Sequence, residues 1–319
     1  MKLPPPAQKP NWKYIELAND KLAAAGVVSH LQAIGEWDKA TDIALCAGKV
    51  EKMFNDGKTT YKFITCHKHK LCPTCSKIRA YKIEKNINEK IAISRVESEG
   101  LHSKHLVLTI KDTKQMNRSF CEMAGHKNGT TKDKRHKGYK TLLGELRREG
   151  KNSEWYNVSS AFGSIECSIS PWDQYHVHLH LVTYSYLPLD VNALETEWQK
   201  IAGDDAEVLD NTIDDTDHRQ NITSYINKLP ALPDVKDRVK WDQVTHGKNM
   251  FFTWGELRKA KVPPKKKYVH GFNPTPNAKY EVVRYADGKY TNDYDDVEYQ
   301  PNMDDSDIPD FPEFIEWES

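Results

Sequence analysis

The spacing of hydrophobic positions along the chain changes period several times, and each period predicts a different kind of element. Alternating and β-branched apolar residues predict strands at HLVLTIKD, SAFGSIECSIS and YHVHLHLVTYSY. The turn signal PWDQ separates the last two, so we expect an antiparallel hairpin there. Helical spacing predicts helices over 12–46, with breaks at Gly26 and Gly35, and over 76–97, 114–150, 189–205 and 214–230.

The strand that begins at Tyr175 carries histidines on one face only. Because side chains alternate along a strand, His176, His178 and His180 point one way and the apolar residues between them point into a core. Two imidazoles at this spacing can converge on one divalent ion. If the hairpin turns near Trp172, Glu166 lies opposite His178 on the same face and can act as a further ligand. The pattern alone is equally consistent with a half-exposed strand without a metal.

Most of the cysteines lie in one segment. Four of the six are Cys46, Cys66, Cys72 and Cys75. The pair in CPTC has the spacing of a zinc knuckle, and the other two thiolates can complete a tetrahedron around Zn²⁺. The longer gap before Cys72 leaves His67 or His69 as an alternative to Cys66. We predict a closed structural zinc site, against the alternatives of ordinary reduced thiols or a redox pair.

The balanced overall charge conceals an asymmetry along the chain. From residue 290 to residue 319 there are eleven acidic residues and no lysine or arginine, which leaves 35 acidic against 46 basic residues in 1–289, a formal charge of +11. A basic body suits a polyanion such as nucleic acid, although a solvated surface with an acidic end fits the composition equally well. No apolar run could cross a bilayer and MKLPPPAQKPNWK lacks a signal-peptide core, so we expect a cytoplasmic protein without a membrane partner.

The predicted helix over 214–230 carries a tyrosine on a polar stripe. Tyr225 shares this stripe with His218, Asn221 and Lys228, beside an apolar stripe that faces inward. A tyrosine hydroxyl can attack a phosphodiester, and Lys228, one turn away, can place positive charge beside the phosphate. An isolated YxxK is usually an ordinary surface motif, so the order of the surrounding motifs decides its meaning.

In that order, the segments resemble the rolling-circle replication initiators of small plasmids from Gram-positive bacteria, which belong to the HUH endonuclease superfamily. The matching segments span residues 40–230 and are CPTCSKIRAYK, HLVLTIKD, YHVHLHLV, LETEWQKIAGD and SYINK. The resemblance implies an α+β protein with the HUH endonuclease fold, a central antiparallel sheet of about five strands backed by helices. It implies an N-terminal helical and zinc-binding module over 1–98, a nicking and joining domain over 99–260, and an extended C-terminal region with an acidic tail over 261–319.

The resemblance also implies a reaction at the replication origin. His178 and His180, with Glu166, would bind Mg²⁺ or Mn²⁺, which polarises the phosphate that is cleaved. Tyr225 would retain the 5′-phosphate and release a 3′-hydroxyl that a host polymerase extends, and the strand would later be rejoined. His176 matches a further histidine of the family and is expected to support the site from outside the ligand set.

One position departs from the family pattern. Relatives commonly carry a glutamate one helical turn before the tyrosine, where this chain has Asn221, which cannot act as a base. The terminating cleavage would then use another group, with His218 and Asp217 as candidates, or a second tyrosine from another protomer of a homodimer.

The expected partners are single-stranded or supercoiled plasmid origin DNA, a host helicase and a DNA polymerase, in the bacterial cytoplasm. On the basic helix over 76–97, Arg79, Lys82 and Lys85 are expected to contact phosphates, which position a strand without reading its sequence.

Two other classes of protein compete with this interpretation. A non-catalytic zinc-containing DNA-binding protein would use the histidines only structurally, and changing Tyr225 to Phe would leave its binding unaffected. A metallohydrolase acting on small molecules, such as an amidohydrolase or a cupin, also uses HxH strands. The sequence after residue 186 lacks the further strands that such an enzyme needs for its other ligands.

Overall fold

The computed structural model describes residues 12–55, 58–96, 99–124, 143, 152–211, 232–248, 250–262, 279–286, 289–292 and 298–299. These residues divide into two compact units, one formed by 1–78 with 266–319 and the other by 79–265. The division differs from the predicted boundaries at residues 98 and 260, because strands near the C-terminus share a sheet with strands near the N-terminus. No helix in the described ranges is long and apolar enough to cross a bilayer.

The described residues form both helices and strands, interspersed along the chain. In chain order they are α1 (Trp12–Ala33), α2 (Trp37–Leu45), β1 (Lys49–Asn55), β2 (Lys58–Phe63), α3 (Pro73–Ser94), β3 (His102–Thr109), α4 (Met116–Ala124), a 3₁₀ turn (Glu154–Asn157), β4 (Val158–Ile169), β5 (Tyr175–Ser185), α5 (Val191–Ala202), β6 (Val208–Asp210), α6 (Val235–Val244), β7 (Phe251–Gly255), α7 (Glu256–Lys259), β8 (Lys279–Ala286), β9 (Lys289–Asn292) and β10 (Glu298–Tyr299). The predicted helix over 214–230, and most of the one over 114–150, lie outside the described residues.

The first unit contains α1, α2 and an antiparallel sheet in the order β10-β9-β8-β1-β2. The predicted helix break at Gly26 is wrong, since α1 runs through it and ends before Gly35, which adopts a φ of +83°. Buried Ala24, Val27 and Leu31 recur at helical spacing around Gly26. Packing of that stripe outweighs the roughly 1 kcal/mol that a glycine costs inside a helix.

Residues 279–286 and 289–292 of the first unit form strands where the sequence predicts none. Extended, poorly packed chain is the expectation beyond Lys259, yet β8 pairs with β1 along its length and β9 pairs with β8. Tyr290 is fully buried beside Leu17 and Val50, and its hydroxyl donates a hydrogen bond to the carbonyl of Ala47. Tyr285 and Tyr290 of this lysine-rich and aspartate-rich region therefore supply apolar surface for the unit's core.

The second unit is built on an antiparallel sheet of five strands in the order β6-β3-β5-β4-β7. The α+β class, the three predicted strands and the predicted helix over 189–205 are confirmed. Helix α5 begins after Asp190, whose side chain accepts hydrogen bonds from two amides of its first turn, and it ends at Gly203. Trp198 of α5 is buried and donates from Nε1 to the carbonyl of Thr109, 2.7 Å away, which fixes the helix to β3.

The two faces of this sheet have different neighbours. One face contributes Val177, Leu179 and Leu181 to the largest core of the described residues, which helices α4, α5 and α6 cover. The opposite face carries the histidines of β5 at one end. At its other end Val182 and Tyr184 pack with apolar residues of α3 and α7. Apolar packing therefore covers this face beside Val182 and Tyr184, and the histidines occupy the remainder.

Candidate metal centres

The β4–β5 hairpin sets the position of Glu166 relative to the histidines. The turn is closed by a hydrogen bond of 2.8 Å from the Ser170 amide to the carbonyl of Gln174, and Asp173 adopts a φ of +54° within it. This register places Glu166 directly opposite His178, as the hairpin pattern predicts. Directly paired residues of antiparallel strands project from the same face, so the carboxylate lies on the histidine face.

Glu166, His178 and His180 form a compact group of potential ligands. Their ligand atoms all lie within 4.8 Å of one another, and His180 Nε2 is 3.6 Å from a carboxylate oxygen of Glu166. The two imidazole rings have centroids 4.9 Å apart and planes at 73°, so they approach a common point from different directions. Two imidazoles and one carboxylate fit a divalent ion and leave coordination positions for a phosphate oxygen or water.

Burial keeps both imidazoles in the form that binds metals. Desolvation, with a smaller contribution from His176, lowers the pKa of His178 to about 4. Desolvation, followed by the charges of His178 and His105, lowers the pKa of His180 to about 3. Both rings are therefore neutral near pH 7, with lone pairs available to an ion.

The backbone beneath His180 is held close to its neighbour. A Cβ atom on Gly163 of β4 would lie only 2.3 Å from the carbonyl oxygen of His180. Only glycine allows the two strands to approach this closely, so Gly163 helps to position the ligand.

Two side chains that sequence reasoning missed contact the histidine strand. His105 of β3 places its Nε2 3.2 Å from Nδ1 of His180, and both rings are buried. Asp112 lies 2.6 Å from Nδ1 of His176, where both side chains are about one quarter exposed. His176 thus pairs with Asp112 and is not a member of the three-residue ligand group. Both missed residues belong to the segment HLVLTIKD, which begins at His105 and ends at Asp112, and His105 shares the face of Val107 and Thr109.

The four cysteines of the first unit form a second, closed group. Their sulfur atoms lie within 4.8 Å of one another, and three of the separations are 3.5 to 3.6 Å. A tetrahedron with Zn–S bonds of about 2.3 Å has edges of about 3.8 Å, whereas a disulfide needs about 2.05 Å. All four thiols are free and buried. The cluster therefore has the ligand set and the spacing of a structural zinc site.

The local chain geometry explains how the sulfurs meet. Cys46 follows the last turn of α2, and the next residue, Ala47, turns back with a φ of +53° and donates 2.8 Å to the carbonyl of Ile64. Cys72 immediately precedes Pro73, the first residue of α3, and Cys75 lies in that helix's first turn. Proline suits the first helical position, and a helix N-terminus favours thiolates.

Cys66, and neither of the two alternative histidines, completes the cysteine group. The group in the described residues contains Cys66 and neither His67 nor His69. Nε2 of His67 lies 3.3 Å from the hydroxyl of Thr65 instead. Within the cluster, hydrogen bonds to the other thiols lower the pKa of Cys75 and raise the pKa of Cys46.

The start of α3 is tied to α1 by contacts of the buried carboxylate of Asp20. Asp20 accepts a hydrogen bond of 3.1 Å from the hydroxyl of Thr74, and its carboxylate lies 2.9 Å from Nζ of Lys77. Lys77 also contacts Glu16 at 2.9 Å. Burial raises the pKa of Asp20, and Lys77 opposes that shift. These contacts hold the helix that carries Cys75 against the first helix of the chain.

The predicted DNA-binding residues lie on α3, and the predicted catalytic residues lie outside the described residues. Lys82 and Lys85 are exposed on α3, whereas Arg79 is partly buried and burial lowers its pKa. The predicted catalytic residues on the downstream helix lie outside the described residues: His218, Asn221, Tyr225 and Lys228.

Comparisons with protein-family models, with curated proteins and with solved structures find no match for this chain. Its function is therefore inferred from the two ligand groups and the elements that carry them.

Proposed function

We propose that this chain is a rolling-circle replication initiator with an HUH endonuclease domain, which nicks one strand at a plasmid origin. The observation that carries the proposal is the group of Glu166, His178 and His180 on one face of an antiparallel sheet. The family pattern supplies the histidine pair, and the hairpin register supplies the carboxylate. Mg²⁺ or Mn²⁺ bound there would stabilise negative charge on the phosphate and on the departing oxygen.

The nucleophile in this proposal is Tyr225. Its hydroxyl oxygen forms a bond to phosphorus and loses its proton to solvent, while the bond from phosphorus to the 3′-oxygen breaks and that oxygen takes up a proton from solvent. The product is a 5′-phosphotyrosine and a free 3′-hydroxyl for a host polymerase. The phosphotyrosyl bond retains the energy of the original linkage, so rejoining needs no ATP. Lys228 would stabilise the charge on the phenolate or phosphate.

The strand would be held mainly by contacts to its phosphates. Lys82 and Lys85 are exposed on α3, where their ammonium groups can contact the phosphates of a DNA strand. Their exposure supports the predicted DNA contacts. Arg79 is less accessible, so we assign it a smaller share of binding. Because Asn221 cannot act as a base, termination would use His218 or Asp217, or a second tyrosine from another protomer.

Covalent capture tests the proposal. Labelled single-stranded oligonucleotides that sample many sequences are incubated with the protein and Mn²⁺, then separated on a denaturing gel. We expect a labelled species of protein size with native protein and with the control Tyr156→Phe, which changes an exposed tyrosine of the second unit. Tyr225→Phe should bind the same DNA without forming the adduct. Absence of any adduct from folded, Mn²⁺-loaded native protein across the library would overturn the nicking activity.

The four-cysteine group supports a second candidate, a non-catalytic zinc-containing DNA-binding protein. In that case the cysteines would organise the start of the basic helix α3, and the histidine group would have no role in cleavage. Sequence-selective binding that needs zinc, persists in His178→Ala and never yields an adduct would favour this candidate. In both candidates the protein acts on DNA in the bacterial cytoplasm.

A further inference from the structure

We propose that His105 is a positioning residue that fixes the ring orientation and the tautomer of His180, so that Nε2 of His180 faces the ion. The inference rests on the proposed function, since it assigns His180 as a ligand of the divalent ion. His105 itself does not reach the ligand group. It acts on that group only through the neighbouring ring.

The sheet register brings the two rings together. In the pairing of β3 with β5, His105 lies opposite Val182 and Val107 lies opposite His180, so both histidines project from the same face. The distance from His105 Nε2 to His180 Nδ1 is 3.2 Å, and the rings are stacked with centroids 5.4 Å apart. His105 is 6% exposed and His180 is 5% exposed, so water does not easily replace this contact.

The hydrogen bond constrains which nitrogen carries each proton. Two neutral imidazoles can form a hydrogen bond with each other only if a nitrogen of one ring donates and a nitrogen of the other accepts. Nε2 of His180 is the nitrogen nearest Glu166 and must have a free lone pair to bind an ion. His180 therefore carries its proton on Nδ1 and donates it to Nε2 of His105. His105 then carries its own proton on Nδ1.

The backbone next to β6 holds His105 in the same arrangement. The ring of His105 also hydrogen-bonds the backbone of Asn211. The Asn211 amide in turn donates to the carbonyl of His105 at 2.8 Å. A chain of hydrogen bonds thus runs from the backbone of Asn211 through His105 to His180. Such outer partners commonly fix the tautomer of a histidine ligand.

Two substitutions separate positioning from packing. In His105→Gln the side-chain carbonyl oxygen can replace Nε2 as the acceptor, whereas His105→Leu fills similar space without any acceptor. Ser164→Ala is the matched control, because Ser164 is buried opposite His180 on the other neighbouring strand. We expect His105→Leu to weaken Mn²⁺ binding about 10- to 100-fold, with His105→Gln and Ser164→Ala close to native. Free Mn²⁺ is measured by electron paramagnetic resonance on the full chain.

The ring tautomer is measured separately on metal-free protein. Nitrogen-15 NMR of histidine-labelled native protein should show His180 protonated at Nδ1, as in His105→Gln, and a mixture of tautomers in His105→Leu. Equal loss of Mn²⁺ affinity in both variants, or an unchanged tautomer and affinity in His105→Leu, would overturn the assignment. If His105→Leu fails to fold, a native His180 protonated at Nε2 would still overturn it. Native protein that binds Mn²⁺ but forms no DNA adduct would overturn the nicking activity and leave this assignment standing.

Discussion

The two ligand groups of this chain differ in the way a structural metal site differs from a catalytic one. The cysteine group supplies four buried sulfurs at nearly tetrahedral spacing and leaves no position for another ligand. The group of Glu166, His178 and His180 supplies three ligands, of which two are partly exposed. One chain thus keeps the ion that would hold its structure apart from the ion proposed for its chemistry.

The two groups also depend on different parts of the chain. The cysteines come from the end of α2, the segment after β2 and the start of α3, so separate elements meet at the sulfurs. The histidine group is built on paired strands of a sheet with a large core. Metal removal should therefore unfold the cysteine region and leave the histidine strand in place.

Loss of zinc is the largest effect that we predict. Changing Cys75 to Ser should abolish zinc retention and unfold the region of α2, β1 and the start of α3, because structural zinc contributes on the order of 10 kcal/mol to folding. Hydrogen exchange with mass spectrometry should show this region exposed, with β4 and β5 still protected. Cys121→Ser, outside the cluster, is the control and should retain zinc. Unchanged zinc content in Cys75→Ser would contradict the structural role.

Loss of a histidine ligand should separate binding from stability. His178→Ala is expected to weaken Mn²⁺ binding by more than about 100-fold, since even outer partners of a ligand are worth about 10- to 100-fold. Its free energy of unfolding should change by only about 1 kcal/mol, because the main core lies on the other face of the strand. Isothermal titration calorimetry with Mn²⁺ measures the affinity, and urea unfolding measures the free energy of unfolding. Loss of folding together with binding would show that the histidines are structural.

Acid should destabilise the histidine unit when no metal is bound. The pKa values of His178 and His180 are about 4 and about 3 in the folded protein, below the ordinary value of 6.5. The unfolded chain therefore binds more protons, and stability present above pH 6.5 is lost as the pH falls toward 4, by at most about 1.4 kcal/mol per pH unit for each ring. Urea unfolding across this range measures the slope. His178→Gln removes one of the two rings and should therefore reduce the slope. A slope equal to that of the native protein would contradict the assignment.

The smallest predicted effect concerns Tyr290 in the cysteine unit. Tyr290→Phe removes the hydrogen bond to Ala47 and should cost about 1 kcal/mol near neutral pH. Burial raises the pKa of Tyr290, so the native protein should lose stability as the pH rises above about 10, where the unfolded phenol ionises. The variant should lack this part of the alkaline loss in denaturant unfolding. A native alkaline slope in the variant would show that other groups cause it.

The parts of the site that could be predicted are those encoded within one hairpin. A period of two places the three histidines on one face, and the turn at PWDQ fixes Glu166 opposite His178, so both follow from local sequence. His105 could not be placed in this way. Its position depends on pairing between β3 and β5, which are separated by a long stretch of chain, and the sequence of either strand does not specify that register.

The same limit applies to the fold of the first unit. Nothing local in β1 indicates that it pairs with β8, more than two hundred residues later. The charged composition of that later segment favours an extended chain, and only the long-range pairing and the burial of Tyr290 explain its strands. Gly26 shows the converse error, because a local helix-breaking signal is overridden by an apolar stripe on both sides of it.

A second metal ion should bind at Glu166 and His178, separately from the zinc at the cysteines. Zinc-loaded native protein should bind one Mn²⁺ per chain in electron paramagnetic resonance titrations, and the double variant Glu166→Ala with His178→Ala should bind none while it retains its zinc. Mn²⁺ binding that persists in the folded double variant, or that disappears only when a cysteine of the cluster is changed, would contradict the assignment of separate ions to the two groups.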